Sequence, residues 1–149
     1  MDANLRSIGG IHYNEAEQQF ASRIRETLNE PDLPLGSERE IQPSELKQAG
    51  GSTDVGDVSW VVPTAGLSTA TWVPGTSAHS WQAVAAGGMG IGSKGMLLAA
   101  KVLATTAVDL YTKPGLIRDA RREFGQRRGP EFRYQSLVGD RAPPLDYRR

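Results

Sequence analysis

No cysteine occurs among the 149 residues, which excludes disulfide staples, thiolate nucleophiles and Cys-based zinc knuckles and suits a reducing compartment. Charge of neither sign is in excess. Lys plus Arg and Asp plus Glu each number 17, so no long-range field draws the chain to nucleic acid or to an anionic membrane. Histidine is scarce, with His12 and His79 alone, so a bound metal would depend on few imidazoles and on carboxylates. Long apolar runs are also lacking: the richest are interrupted by Lys94, Lys101 and Asp109. The start Met1-Asp2-Ala3-Asn4-Leu5-Arg6 has neither the basic opening nor the apolar stretch of a signal peptide. A soluble, cytoplasmic chain without nucleic-acid or membrane partners is expected, long enough for one domain with a real core.

What is present is organised in blocks. Residues 15–28 place Phe20, Ile24 and Leu28 four apart, with Ala16 and Ala21 alongside and Glu17, Gln18, Arg25 and Glu26 facing elsewhere. That periodicity predicts an amphipathic helix capped by Asn14 and closed before Pro31. Residues 30–51 carry Pro31, Pro34, Pro43, Gly36, Gly50 and Gly51 among charges, and read as an exposed connector. Val55, Val58, Trp60, Val61 and Val62 follow, and after Pro63 the Thr, Trp and Val content of 67–73 predicts a buried strand. A loop containing His79 leads through the glycine-rich stretch 87–95 into a long helix over about residues 93–111. Its broad apolar surface predicts that most of it is buried. Pro114 ends it, a short basic helix spans 116–124, and the rest is an extended tail broken at Gly129-Pro130 and Pro143-Pro144. The expected divisions are 1–29, 30–51, 52–126 and 127–149.

Three motifs bear on chemistry. Gly90-Ile91-Gly92-Ser93-Lys94-Gly95 matches the dinucleotide-binding pattern, but residues 83–88 do not make the strand that must precede it. Close backbone packing at a helix start is the better account. Asp54 and Asp57 lie three apart, so a helical turn would put both carboxylates on one face, with His79 following across one strand. Oxygen and imidazole donors suit Zn²⁺ or Mn²⁺. Equally, Asp54 is placed to cap a helix, Asp57 to be solvated, and His79 to be a hydrogen-bonded loop residue. No G-x-S-x-G elbow occurs, and Ser77 and Ser80 beside His79 do not make a Ser/His/Asp triad.

The blocks Ser52-Thr53-Asp54-Val55-Gly56-Asp57-Val58-Ser59-Trp60, Gly75-Thr76 with His79-Ser80-Trp81-Gln82, and Lys94-Gly95-Met96-Leu97-Leu98-Ala99-Ala100-Lys101 stand here in order. Together they resemble the co-catalytic metallopeptidases, a family of two-metal amidohydrolases that includes aminoacylases, carboxypeptidase G, plant auxin-conjugate hydrolases and hydrolases of aminobenzoyl-glutamate. The likeness is strong over about 51–116. It implies an α/β fold, namely the C-terminal portion of a three-layer mixed-sheet catalytic domain, with the lid and dimerisation domain absent. It implies hydrolysis of an amide between an acyl or aminobenzoyl group and an amino acid, a small-molecule N-acyl amino acid substrate, and a divalent metal, Zn or Mn, in the complete enzyme. His79 matches the last metal ligand and Asp54 the acid beneath it; Asp57 matches the motif without an assigned role. The family's other metal-binding histidines and its Glu-Glu pair have no counterpart here. The resemblance therefore implies a fragment, a misassigned start or a truncated product that supplies about one ligand and is inactive alone. It would self-associate or pair with a complementary chain. A non-catalytic interaction protein derived from the same fold is the alternative.

Overall fold

The computed structural model describes residues 1–45 and 53–146, so Gly50, Gly51 and Ser52 of the motifs above lie outside the described residues. Its helices are α1 (Asp2–Ile8), α2 (Glu15–Arg25), α3 (Val55–Ser59), α4 (Trp81–Gly87), α5 (Gly90–Thr112) and α6 (Pro114–Arg128), with a 3₁₀ turn at Ser37–Arg39. Two units form: Met1–Gln48 with Ala65–Lys113, and Ala49–Thr64 with Pro114–Arg149.

In the first unit, α2 begins where the sequence places it. The Asn14 side chain accepts from the Glu17 N–H at 2.9 Å, and the Glu17 carboxylate accepts from the Asn14 N–H at 2.7 Å, a reciprocal capping box. Ala21 and Ile24 then point into the core, and Phe20 and Leu28 pack on its margin. The core itself is small: Ile11, Tyr13, Ala21, Ile24, Val73, Ala86, Ile91, Leu98 and Val102. α5 is its spine, since α1 and α4 both pack on it. Close approach explains its glycines. A Cβ on Gly92 would stand 2.2 Å from the Gly87 carbonyl oxygen, and one on Gly95 would stand 2.6 Å from that of Ala70. The glycine pattern therefore serves packing, and what precedes it is helix α4 rather than the strand a dinucleotide site requires. Lys94 pairs with Glu17 and donates to the His12 carbonyl at 2.8 Å, tying α5 to the entry of α2.

The expected α/β fold is overturned: the described residues are helical, with no strand and no sheet. Segment 67–73 carries no regular secondary structure and packs against α5 instead of pairing in a sheet. The Thr69 hydroxyl donates to the Gly95 carbonyl at 2.9 Å, the Tyr13 hydroxyl to the Trp72 carbonyl at 3.4 Å, and Val73 is buried. Its Thr, Trp and Val content reflects fitness for a half-buried surface, and a helix supplies such a surface as well as a sheet does. Residues 55–62 form α3 and a turn, the helical turn weighed for Asp54 and Asp57, with Val55, Val58, Trp60, Val61 and Val62 exposed. α5 also departs from expectation. Ile91, Leu98 and Val102 are buried, whereas Met96, Leu97, Leu103, Val108 and Tyr111 are exposed. By length and composition α5 could cross a membrane, a test that core helices of soluble proteins also pass.

The second unit has no buried helical residue among those described. Aromatic and polar contacts hold it instead. Trp60 stacks on Phe132 with centroids 4.7 Å apart, the Arg128 guanidinium lies 4.8 Å above the Phe124 ring, and the Tyr134 hydroxyl donates to Asp57 at 2.6 Å. Pro114 opens α6 at its first position, where a missing N–H costs no helical bond.

Candidate functional site around His79

His79 sits in the first unit, in the turn that feeds α4, and its side chain is exposed. The turn is tied at several points. The Thr76 N–H donates to the Val73 carbonyl at 3.1 Å, and the Ser80 hydroxyl donates to the Ser77 carbonyl at 2.7 Å. The Ser80 oxygen also accepts from the Ala83 N–H at 3.2 Å, capping α4. Farther along, Gln82 donates to the Thr27 carbonyl at 3.2 Å and fastens the start of α4 to the end of α2. Within this frame His79 has φ +59, a left-handed conformation that costs a residue with a Cβ about 1–2 kcal/mol. A strained residue in an anchored, exposed turn is a recurring mark of a side chain aimed for use.

A shallow cleft of about 510 Å³ opens beside it, lined by Trp72, His79, Ser80, Trp81, Ala83 and Val84. Trp72 is 37% exposed and Trp81 is 60% exposed. Trp81 lies in the motif block around His79, but neither tryptophan was given a role from the sequence. Their signal was position: Trp81 follows His79 by two residues, and Trp72 stands next to last in the segment 67–73 that leads to it.

Asp54 and Asp57 belong to the second unit. Asp54 precedes α3, but its side chain makes no capping bond; its carbonyl accepts from the Asp57 N–H at 3.1 Å. Asp57 holds the tail through Tyr134, and this bond to the carboxylate, with a small contribution from burial, raises the Tyr134 phenol above its ordinary range. Among the described residues no three His, Cys, Asp or Glu side chains gather as a metal-binding group. These residues therefore do not fit a complete metal centre, and His79 is a single imidazole donor. His12 is an exposed residue whose carbonyl serves Lys94.

No family model matches the chain, and no solved structure does. Among known proteins it is 38% identical over 123 residues to a p-aminobenzoyl-glutamate hydrolase subunit of Escherichia coli K12, a match covering 83% of this chain and 24% of that protein. It is 39% identical over 92 residues to the Xaa-Arg dipeptidase of Mus musculus, covering 60% of this chain and 21% of that protein. The chain thus spans at most about a quarter of the length of the curated relatives it matches. One name denotes a hydrolase of p-aminobenzoyl-glutamate and the other a dipeptidase, and the chain is similar to a part of each.

Proposed function

We propose that this chain is a piece of a metal-dependent amidohydrolase that cleaves the amide between an acyl or aminobenzoyl group and an amino acid, and that His79 is its one metal ligand. The carrying observation is the 38% identity over 83% of the chain to a hydrolase named for an aminobenzoyl amino acid. A match of that extent passes through the middle of the chain, where His79 stands strained and exposed. In the whole protein a divalent metal such as Zn²⁺ or Mn²⁺ would polarise the amide carbonyl and activate water. One imidazole does not make that centre, so no hydrolytic step is assigned to this chain by itself. Asp54 would be the accompanying acid in the whole protein, whereas Asp57 is engaged with Tyr134.

Incubated with Zn²⁺ or Mn²⁺ and an N-acyl amino acid, the purified chain is expected to release no amine. Metal-dependent release that disappears in His79→Ala would overturn the assignment of inactivity. A His79→Ala change in a longer protein carrying this segment is expected to remove most metal and turnover at nearly unchanged Tm, because an exposed side chain contributes little to the core. Retention of both would sink the assignment of His79. A second reading, a non-catalytic interaction protein, draws on the apolar residues that α5 leaves exposed.

A further inference from the structure

We infer that segment 67–73 is a docking edge for another polypeptide, which adds beside it as an extended, lysine-bearing strand in the acidic cleft that the segment borders. This goes beyond the hydrolase reading and does not depend on it, since His79 does not line that cleft.

A backbone N–H or C=O taken from water needs a partner. Along 67–73 the chain supplies almost none. Among the described residues no N–H of this segment is bonded, and of its carbonyls only those of Trp72 and Val73 are engaged, by the Tyr13 hydroxyl at 3.4 Å and the Thr76 N–H at 3.1 Å. The side chains nevertheless follow the two-residue alternation of a strand. Leu67 packs on the core, the Thr69 hydroxyl and the Thr71 methyl meet Gly95, and Val73 is buried. Ser68 and Trp72 are exposed between them, and only the small Ala70 joins the inward set out of turn. One face is thus fixed against the helical core while the backbone stays unpaired, the condition under which an edge accepts a strand from another chain.

The whole run 65–76 forms one wall of a cleft of about 1010 Å³. Small-molecule pockets reach about that size at their largest, and a wall of unpaired main chain suits a peptide better. Seven extended residues span about 23 Å. Charge selects the partner. Asp2, Glu38, Glu40 and Glu45 border the cleft, and no Lys, Arg or His side chain does. Arg6 pairs with Asp2, and Glu38 accepts from the Gly36 N–H, while Glu40 is exposed and carries no ion pair among the described residues. A cationic strand is complementary to this lining and an anionic one is repelled by it. Leu33 and Ile41 also border the cleft and offer apolar contact to the residues that alternate with the cations.

The test uses the full chain and a synthetic peptide of about seven residues, alternating Lys and Val and blocked at both ends, with affinity read by calorimetry and the docking place by hydrogen exchange. The peptide is expected to bind and to slow amide exchange across 67–73, because unpaired N–H groups become donors in a ladder. A version with Glu in place of Lys should bind at least about tenfold more weakly. Two further versions carry N-methyl groups on alternate residues, one set in each register. Only one edge of a strand pairs with the segment, so one version should lose about tenfold or more and the other should keep the parental affinity. Glu40→Gln should weaken the Lys peptide by about two- to fivefold at unchanged Tm, since Glu40 is exposed. Unaltered exchange at 67–73, or parental affinity in both N-methylated versions, would overturn strand addition. Equal binding of the Lys and Glu peptides would overturn the cationic partner.

Discussion

Glu17 does two jobs with one carboxylate. It closes the capping box of α2 and receives Lys94 from α5, so a helix start and a helix-to-helix tie share a single titratable group. Partial burial raises its pKa, but the Lys94 ammonium and the Asn14 N–H outweigh that and hold the carboxyl below its ordinary value. A carboxylate with a depressed folded-state pKa adds stability that is complete above the unfolded-state pKa and is lost as the pH falls through the folded-state pKa. Glu17→Gln keeps the cap geometry and removes the charge. It is expected to lower stability by about 0.5–1 kcal/mol at neutral pH. The gap in Tm between variant and parent should then narrow below the ordinary carboxylate range, as measured by thermal melts over a pH series. A gap independent of pH would mean that the Lys94 pairing contributes nothing.

At the scale of elements, α5 shows packing overriding propensity. Gly92→Ala should gain about 1 kcal/mol of helix propensity. Its Cβ would nevertheless lie 2.2 Å from the Gly87 carbonyl oxygen, a backbone atom that cannot swing aside. Overpacking of that kind costs about 1–3 kcal/mol, so a net fall in stability is expected in chemical denaturation. An unchanged or higher midpoint would show that α4 shifts freely on α5. The same contrast explains what was legible in the sequence. α2 was readable because Asn14, Glu17, Ile24 and Pro31 are local signals that agree with one another. The strand expected over 67–73 does not form, because its Thr, Trp and Val content marks a half-buried surface and cannot say whether a sheet or a helix lies beneath. α1 was missed because Leu5 and Ile8 alone give little periodicity, and tertiary bonds from Asn4 to Thr106 and Asp109 supply what local pattern does not. The motif singles out His79 as a candidate, whereas its left-handed backbone and its place beside two indoles become visible only with the turn folded.

For the whole molecule, the decisive fact is how little of α5 the chain covers. Its buried stripe runs through Ile91, Leu98 and Val102, while Met96, Leu103, Val108 and Tyr111 stay in contact with solvent, Tyr111 at 90% exposure. Scattered exposed apolar residues are ordinary on a soluble protein, but a run of them along one long helix is adhesive. Self-association in a concentration-dependent manner is therefore expected, seen as a rising weight-average mass in sedimentation experiments. Leu103→Glu with Tyr111→Glu should move the equilibrium toward monomer by about tenfold or more, since a charge buried in an apolar contact is costly. Because both positions are exposed, the double variant should keep the helical content and Tm of the parent. A parent chain that sediments as a monomer at every concentration would show that α5 is self-sufficient in water. The interaction reading would then lose the surface on which it depends.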